Sequence, residues 1–558
     1  ACVDEFLDRI DGLDGDNKGT LTCELLDGDR IAGTTRISLA AGKNNYELRF
    51  ESIANLRLWD IDDPALYELR VTLDRTGEAG AEASATDEWK TRVGFRTAEF
   101  TKEGFFLNGR LVKLVGLNRH QAWPYVGYAM PARAQRKDAE ILKNELGVNL
   151  VRTSHYPQSP HFLDACDELG LLVFEEMPGW QFIGEAEWQD TECVNMEEMI
   201  RRDRNRPSIV LWGVRVNESP DSHDFYVRSN ALAHRLDPTR QTGGVRCIGN
   251  SELLEDVYTF NDFSYSGAAE KGVPLKRQRA VTGKKFDVPY LVTEHNGHMF
   301  PTKSFDNEER LAEHALRHAR VLDAAFADRA ISGAIGWCAF DYNTHKDFGS
   351  GDRVCYHGVM DIFRFPKFAS FVYASQAPCD RKPVLEAASR FAKGERRAAR
   401  LLPIEIWTNC DSVILWRGSE RIGEFFPDRA AFPNLPHPPI IIHDLIGERI
   451  TKEGFSELDN KRIRKAASIV FEASVGDLGP IDKIHLMSFL IRKKMPYGTL
   501  YNLITKYVSG WGAKDEAFKL EGFHDGKKVA ERTYGGEACA TGLEIKADDA
   551  TLADGDWD

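Results

Sequence analysis

Short apolar runs that end abruptly in polar residues recur through the middle of the chain. They are "GRLVKLVGLN", "GVNLVRTSH", "GLLVFEEM", "SIVLWGV", "RQTGGV", "EDVYTF", "PYLVTEH" and "GAIGWCAFD". Runs of this length, bounded by turn residues, predict buried strands. Between several of them, residues 132–146, 159–169, 221–236 and 307–327 carry apolar positions at helical spacing. Strand candidates alternating with helices predict a (β/α)8 barrel over residues 100–379. An open doubly wound sheet is the alternative, but no Gly-rich dinucleotide fingerprint follows a strand.

The pattern differs on either side. Residues 17–99 alternate apolar and polar positions in short stretches ("GTLTCELL", "NNYELRFE", "ALYELRVTL", "WKTRVGFRTAEF") separated by Gly, Asp and Asn turns, which predicts a β-sandwich over residues 1–99. After residue 380 strand-like alternation returns, in "IEIWTNCDSVILWRGSERIGEFFP" and "EAFKLEGFHDGKKVAERTY". Residues 458–508 interrupt it with helical spacing. The expected organisation is therefore multidomain: a TIM barrel flanked by β-sandwich domains, the C-terminal one spanning 380–558 with a helical insertion at 458–508.

Composition narrows the class. The 558 residues are 42% apolar and 28% charged, as in globular proteins. A net charge of -14 argues against a general nucleic-acid binder. No apolar run approaches the ~20 residues that span a bilayer, so no membrane partner is expected. The ten cysteines form no CxxC pair. They predict reduced thiols in a cytoplasmic protein and no structural zinc. The chain begins at Ala1 without a signal-like stretch, and residues 1–30 start in mid-pattern, which suggests a missing N-terminal segment; a lost signal peptide is the alternative to a cytoplasmic setting.

In such a barrel, chemistry collects at the C-terminal strand ends. The predicted strands deliver Asn118, Arg119 and His120; Arg152, Ser154 and His155; Glu175 and Glu176; Asn217 and Glu218; Asn261, Asp262 and Tyr265; Glu294, His295 and Asn296; and Trp337, Asp341 and Asn343. Glu218 and Glu294 each follow an apolar strand directly. A facing carboxylate pair is the minimum machinery of glycoside hydrolysis: one protonates the leaving oxygen, and the other, at ~5–5.5 Å in a retaining enzyme, attacks the anomeric carbon. A buried ion pair with Arg119 or Arg152 is the competing role for either glutamate alone. Trp212 and Trp337 are candidate sugar-stacking rings.

Several motifs agree in order with one family. "GFRTAEF" followed by "FFLNGRLVKLVGLNRHQ", then "VNLVRTSHYPQSPHFLDACDELGLLVFEE", "NRPSIVLWGVRVNES" and "PYLVTEHNG" resemble glycoside hydrolase family two, the group of β-galactosidases, β-glucuronidases and β-mannosidases. The similarity runs from about residue 56 to 376. It implies an immunoglobulin-like sandwich before the barrel, Glu218 as general acid/base and Glu294 as nucleophile. Asn217 would hold the 2-hydroxyl of the sugar, with Arg119, His120, Arg152 and His155 lining the pocket. Tyr265 would neighbour the nucleophile, and Trp337 would form the pocket floor. Dimers or tetramers are common in the family, so a homo-oligomer is expected.

The departures also carry information. Trp180 and Gln181 stand in "EEMPGWQFIG", where metal-dependent β-galactosidases of the family carry a Glu and a His, so no metal and no required cofactor are expected. The family's N-terminal jelly-roll domain has no counterpart. Lys303, His345, Lys346 and Arg353 offer cations for a uronic acid near the last strands, with Asn343 and Lys346 as substrate-binding candidates, but the Asn-x-Lys pair typical of β-glucuronidases is missing near "RVCYHG". Lys346 and Arg353 paired with Asp347 and Asp352 is the plainer expectation. A terminal β-D-galactoside is therefore the expected substrate, with a β-glucuronide or β-galacturonide as the alternative. Flavin binding in 458–508 and a non-catalytic carbohydrate-binding protein are further alternatives.

Overall fold

The computed structural model describes residues 19–40, 46–51, 53, 55–75, 86–265, 273–345, 348–392, 401–472, 478–507 and 517–535. They divide between two compact units. One comprises the chain up to Ser264 with Leu275–His295 and Asp328–Trp337; the other comprises Tyr265–Pro274, Asn296–Ala327 and the chain from Cys338.

In the first unit, β1 (Gly19–Asp27), β2 (Arg30–Ser38), β3 (Tyr67–Arg75) and β4 (Thr86–Val93) form one antiparallel sheet in the order β2-β1-β3-β4. Alternation sets its inner face: Tyr67, Leu69, Val71 and Leu73 are buried with Leu21 and Leu25. The stretch "NNYELRFE", expected as a strand, joins no ladder among its described residues. Tyr46, Leu48 and Phe50 instead pack their apolar sides on this core, so alternation here marks a covering segment. Three short strands follow, β5 (Ala98–Thr101), β6 (Gly104–Leu107) and β7 (Arg110–Val112).

The expected eight barrel strands all form: β8 (Leu114–Arg119), β9 (Leu150–Thr153), β10 (Leu172–Glu176), β11 (Ile209–Gly213), β12 (Gln241–Arg246), β13 (Val257–Asn261), β14 (Tyr290–Glu294) and β15 (Gly333–Gly336). They close into a barrel, with β15 pairing parallel to β8. Leu114, Leu150, Leu172, Val210, Leu291 and Ile335 share one apolar cluster with Phe100, Phe105 and Trp59. Its helices are α1 (Ala132–Glu140), α2 (Pro160–Leu169), α3 (Ala186–Asp203), α4 (His223–Leu236) and α5 (Gln278–Thr282). The run expected over 132–146 divides into α1 and a π-helical turn at Ile141–Glu145. Helix α3 was not among the expected helices, because its inward face includes Glu192 and Asp203 beside only Met196, Met199 and Ile200.

The second unit contains α6 (Glu308–Ala327), β16 (Tyr342–Asn343), β17 (Val354–Cys355) and α7 (Phe368–Ala374). It also contains β18 (Leu385–Ala387), β19 (Ile404–Thr408), β20 (Ser412–Arg417), β21 (Glu420–Phe425) and β22 (Ile440–Ile442). Helices α8 (Glu457–Glu472), α9 (Pro480–Lys493) and α10 (Tyr497–Tyr507) precede β23 (Phe518–His524) and β24 (Lys527–Tyr534). Sheets β18-β19-β22 and β21-β20-β23-β24 enclose one apolar core. The three helices enclose another, around Ile463, Phe489, Leu490 and Leu500.

Candidate active site

Strand β11 pairs with β10 and β12, and its backbone continues past Gly213 to deliver Asn217 and Glu218. The Glu218 amide donates to the Val245 carbonyl (3.0 Å), and Glu218 itself sits in the left-handed region at φ 56°. Strand β14 ends in Glu294, which lies opposite Asn261 of β13 in the ladder. Glu294 is buried, whereas Glu218 is half-buried.

A fully buried arginine connects these strand ends. Arg152 of β9 donates from Nη1 to Glu294 Oε1 (2.6 Å) and to Asn118 Oδ1 (2.9 Å). From Nε and Nη2 it binds both oxygens of Glu176, at 3.0 and 2.9 Å. Nη2 also reaches Asn217 Oδ1 (2.9 Å). Four strands are thereby held on one planar guanidinium, whose fixed donor geometry suits such a hub. Burial pushes the Glu294 carboxyl up to about 8; Arg152 opposes that shift and the Glu218 charge adds to it. Burial likewise pushes Glu176 up to about 7, again against Arg152.

Glu218 accepts hydrogen bonds on both oxygens. Asn261 Nδ2 donates to Oε1 (3.0 Å), and Trp180 Nε1 and Gln181 Nε2 donate to Oε2 (3.1 and 3.2 Å). Beside Arg152, the His155 ring stacks on Trp337 at 5.2 Å with an interplanar angle of 5°. Burial, with the Arg152 charge, lowers His155 well below the usual histidine range. His120 meets both rings edge-on, 5.4 Å from Trp337 and 5.6 Å from His155. Asn217 Nδ2 is buried with no hydrogen-bond partner among the described residues. A buried unpaired donor costs about 1–3 kcal/mol, which a ligand oxygen would relieve.

The sequence-predicted residues therefore separate. Asn217, Glu218, Glu294, Arg152, His155, His120 and Trp337 come together. Arg119 does not join them: it follows Asn118 by one position, so strand alternation turns it to the outer face. There it binds Asp138 (2.9 Å), Gln135 and Gln158, and its guanidinium lies 4.0 Å from the Phe162 ring centroid. Alternation also sends Glu175 outward to Arg202, opposite Glu176. Trp212, expected as a sugar platform, points outward and donates to Asp237 (3.0 Å). Tyr265 takes part in a different contact from the one expected, because its hydroxyl accepts from Arg320 of α6 (3.0 Å). Asn343 is exposed in β16, and Lys346 lies outside the described residues. Asp352, expected to pair with Arg353, accepts from the Tyr356 hydroxyl (2.5 Å).

Asn118, Glu176 and Asn261 stood at predicted strand ends but carried no assigned role. Trp180 and Gln181 were singled out only as departures from a metal-binding pattern. An indole N–H and an amide NH2 facing Glu218 are donors and not metal ligands, so a divalent cation does not fit against that carboxylate. Among the described residues, the arrangement offers one carboxylate clamped by a cation inside the barrel mouth, and a second, more exposed one held by neutral donors. A separate cavity of about 1260 Å³, lined by Leu21, Leu48, Phe95, Pro207 and Arg240, contains none of these groups.

Residues 98–377 match the description "Glycosyl hydrolases family 2, TIM barrel domain", and residues 14–96 match "Glycosyl hydrolases family 2". The chain belongs to glycosyl hydrolase family 2. A family member named β-galactosidase from Thermoanaerobacterium thermosulfurigenes is 49% identical over 92% of this chain and 63% of its own length. Among solved structures, the family 2 barrel and its flanking sheets resemble a β-glucuronidase from Parabacteroides merdae, with a TM-score of 0.66, 20% identity, and coverage of 93% of this chain and 60% of that one. An FMN-binding β-glucuronidase from Facaelibacterium prausnitzii L2-6 superimposes with a TM-score of 0.62 at 24% identity, covering 76% of this chain and 65% of that one. The chain thus spans about three fifths of the length of the curated family 2 relative. Among the described residues, no helix is long and apolar enough to cross a membrane.

Proposed function

We propose that the protein is a retaining exo-β-glycosidase that removes terminal β-D-galactosyl units by double displacement. The observation that carries this reading is the unequal treatment of two strand-end carboxylates, with Glu294 held by Arg152 and Glu218 held by three neutral N–H groups. A nucleophile must be ionised, and the Arg152 charge favours that form. In the first step Glu294 forms a bond to the anomeric carbon while the glycosidic C–O bond breaks, and the Glu218 proton passes to the leaving oxygen. In the second step Glu218 takes a proton from water as the water oxygen displaces Glu294. The unpaired Nδ2 of Asn217 supports a role on the 2-hydroxyl, a contact that strengthens in the transition state. His155 and Trp337, stacked, would form the pocket wall.

The galactoside assignment rests on the name borne by the relative at 49% identity. Neither step needs a redox or electrophilic group, so turnover is proposed without metal or flavin. A cytoplasmic location and a homo-oligomer are proposed on composition and family habit.

The deciding experiment combines a variant with a substrate panel. Glu294→Ala should abolish turnover of aryl β-galactosides, azide should restore part of it, and a fluorinated glycoside should label Glu294 in the unaltered protein. A covalent adduct on another residue overturns the assignment. A nitrophenyl panel of β-galactoside, β-glucuronide and β-galacturonide fixes the sugar, and preference for either uronide would replace the galactoside reading.

A further inference from the structure

The loop after β10 reaches over the acid/base. Gly179 adopts φ 123°, and a Cβ there would meet Val216 Cγ1 at 3.1 Å, so glycine lets the loop close on the chain before Glu218. Trp180 then pairs with Asn217 in a parallel bridge, and the Gln181 amide donates to the Asn217 carbonyl (2.7 Å). Two side-chain N–H groups arrive together on Oε2 of Glu218, while Trp180 remains 44% exposed at the mouth.

We propose that Trp180 and Gln181 are positioning residues for proton transfer by Glu218, and that they determine how strongly the enzyme assists the departure of poor leaving groups. This inference rests on Glu218 being the acid/base. As the proton leaves Glu218, negative charge forms on its carboxylate, and donors already aimed at that oxygen stabilise the charge without reorganisation. The donors are neutral, so they fix the carboxylate in place and do not neutralise it. Their benefit is greatest where the leaving oxygen is basic and most needs the proton.

The test compares kcat/KM for phenyl, nitrophenyl and dinitrophenyl β-galactosides, or the matching uronides if the panel selects them, in full-chain protein. Trp180→Phe and Gln181→Leu keep most of the side-chain shape and remove the N–H. Each should lower kcat/KM for the phenyl glycoside about 10-fold and leave the dinitrophenyl glycoside within about 2-fold, because acid catalysis contributes about 10²–10⁴ only where the leaving group needs it. Glu218→Ala is the reference and should show the same selectivity with a larger loss. If Glu218→Ala loses all three substrates equally, the acid/base assignment fails and takes the proposal with it. If Glu218→Ala is selective while Trp180→Phe and Gln181→Leu are inert, or lose all substrates in parallel, the proposal alone is overturned. Thermal melting of each variant identifies a folding defect, and Gln181→Asn, which restores an amide on a shorter arm, should recover part of the phenyl rate.

Discussion

Arg119 and Arg152 stand at the ends of neighbouring strands, and a single position of alternation separates their roles. Arg152 faces the barrel interior and binds Glu294, Glu176 and Asn217. Arg119 faces outward and is neutralised by Asp138. Asp138→Asn leaves that guanidinium buried without its counter-charge. It should cost about 3–5 kcal/mol in urea unfolding while KM stays unchanged; a raised KM with unchanged stability would return Arg119 to the sugar pocket. Arg152 gives a prediction of opposite kind. Burial raises Glu294, and the proposed mechanism needs it ionised for attack, so the acid limb of kcat/KM should lie well above the ordinary carboxylate range and toward about 8. Removing the opposing charge in Arg152→Gln should move that limb further up. Stability runs the other way with pH: a carboxyl raised in the folded state contributes fully below the unfolded value near 4.5 and loses that contribution as pH climbs to about 8.

At the scale of elements, the close approach of β11 to Glu176 of β10 depends on one small residue. A Cβ on Gly213 would sit 2.3 Å from Glu176 Cβ and 2.8 Å from its Cα. Gly213→Ala should therefore displace Glu176 from Arg152. The expected outcome is about 1–3 kcal/mol of destabilisation from overpacking, together with a fall in kcat that Leu211→Met, on the same strand, does not produce. The eight barrel strands were legible because each is a compact apolar run with a polar end. Glu218 and Glu294 were legible because they follow such runs directly. Which face a polar residue takes depends on the last paired position of its strand, and apolar patterning blurs when both faces are buried. That is why Trp212 was expected inside, whereas Arg119 was placed there by the family resemblance. Trp180 and Gln181 depend on a loop path set by a left-handed glycine, which no periodicity encodes, and α3 shows the same limit in a helix whose inward face is half polar.

For the molecule as a whole, family 2 membership and architecture agree, since the barrel with its flanking sheets matches solved structures at the level of fold. The groups that face Glu218 are an indole N–H and two side-chain amides, which supports the proposed metal-free turnover. Chelator treatment should leave turnover unchanged in an activity assay, and added FMN should leave it unchanged as well; a strong loss with chelator would mean that a cation is held by groups other than Trp180 and Gln181. The expectation of eight barrel strands fared best, because each is a compact apolar run that the closed barrel buries on both faces. The expectation for residues 44–51 fared worst, because alternation alone does not distinguish a paired strand from an extended cover.

With Glu218 in its proposed role as acid/base, its left-handed backbone sets stability selection against turnover. A residue with a Cβ at φ 56° costs roughly 1–2 kcal/mol that glycine would not. A library of this protein sorted only for heat resistance should therefore enrich Gly or Asn at position 218 and discard the acid while improving the fold. The most stable versions of the barrel and its most active versions are expected to be different sequences, and the two populations should part first at this one backbone position.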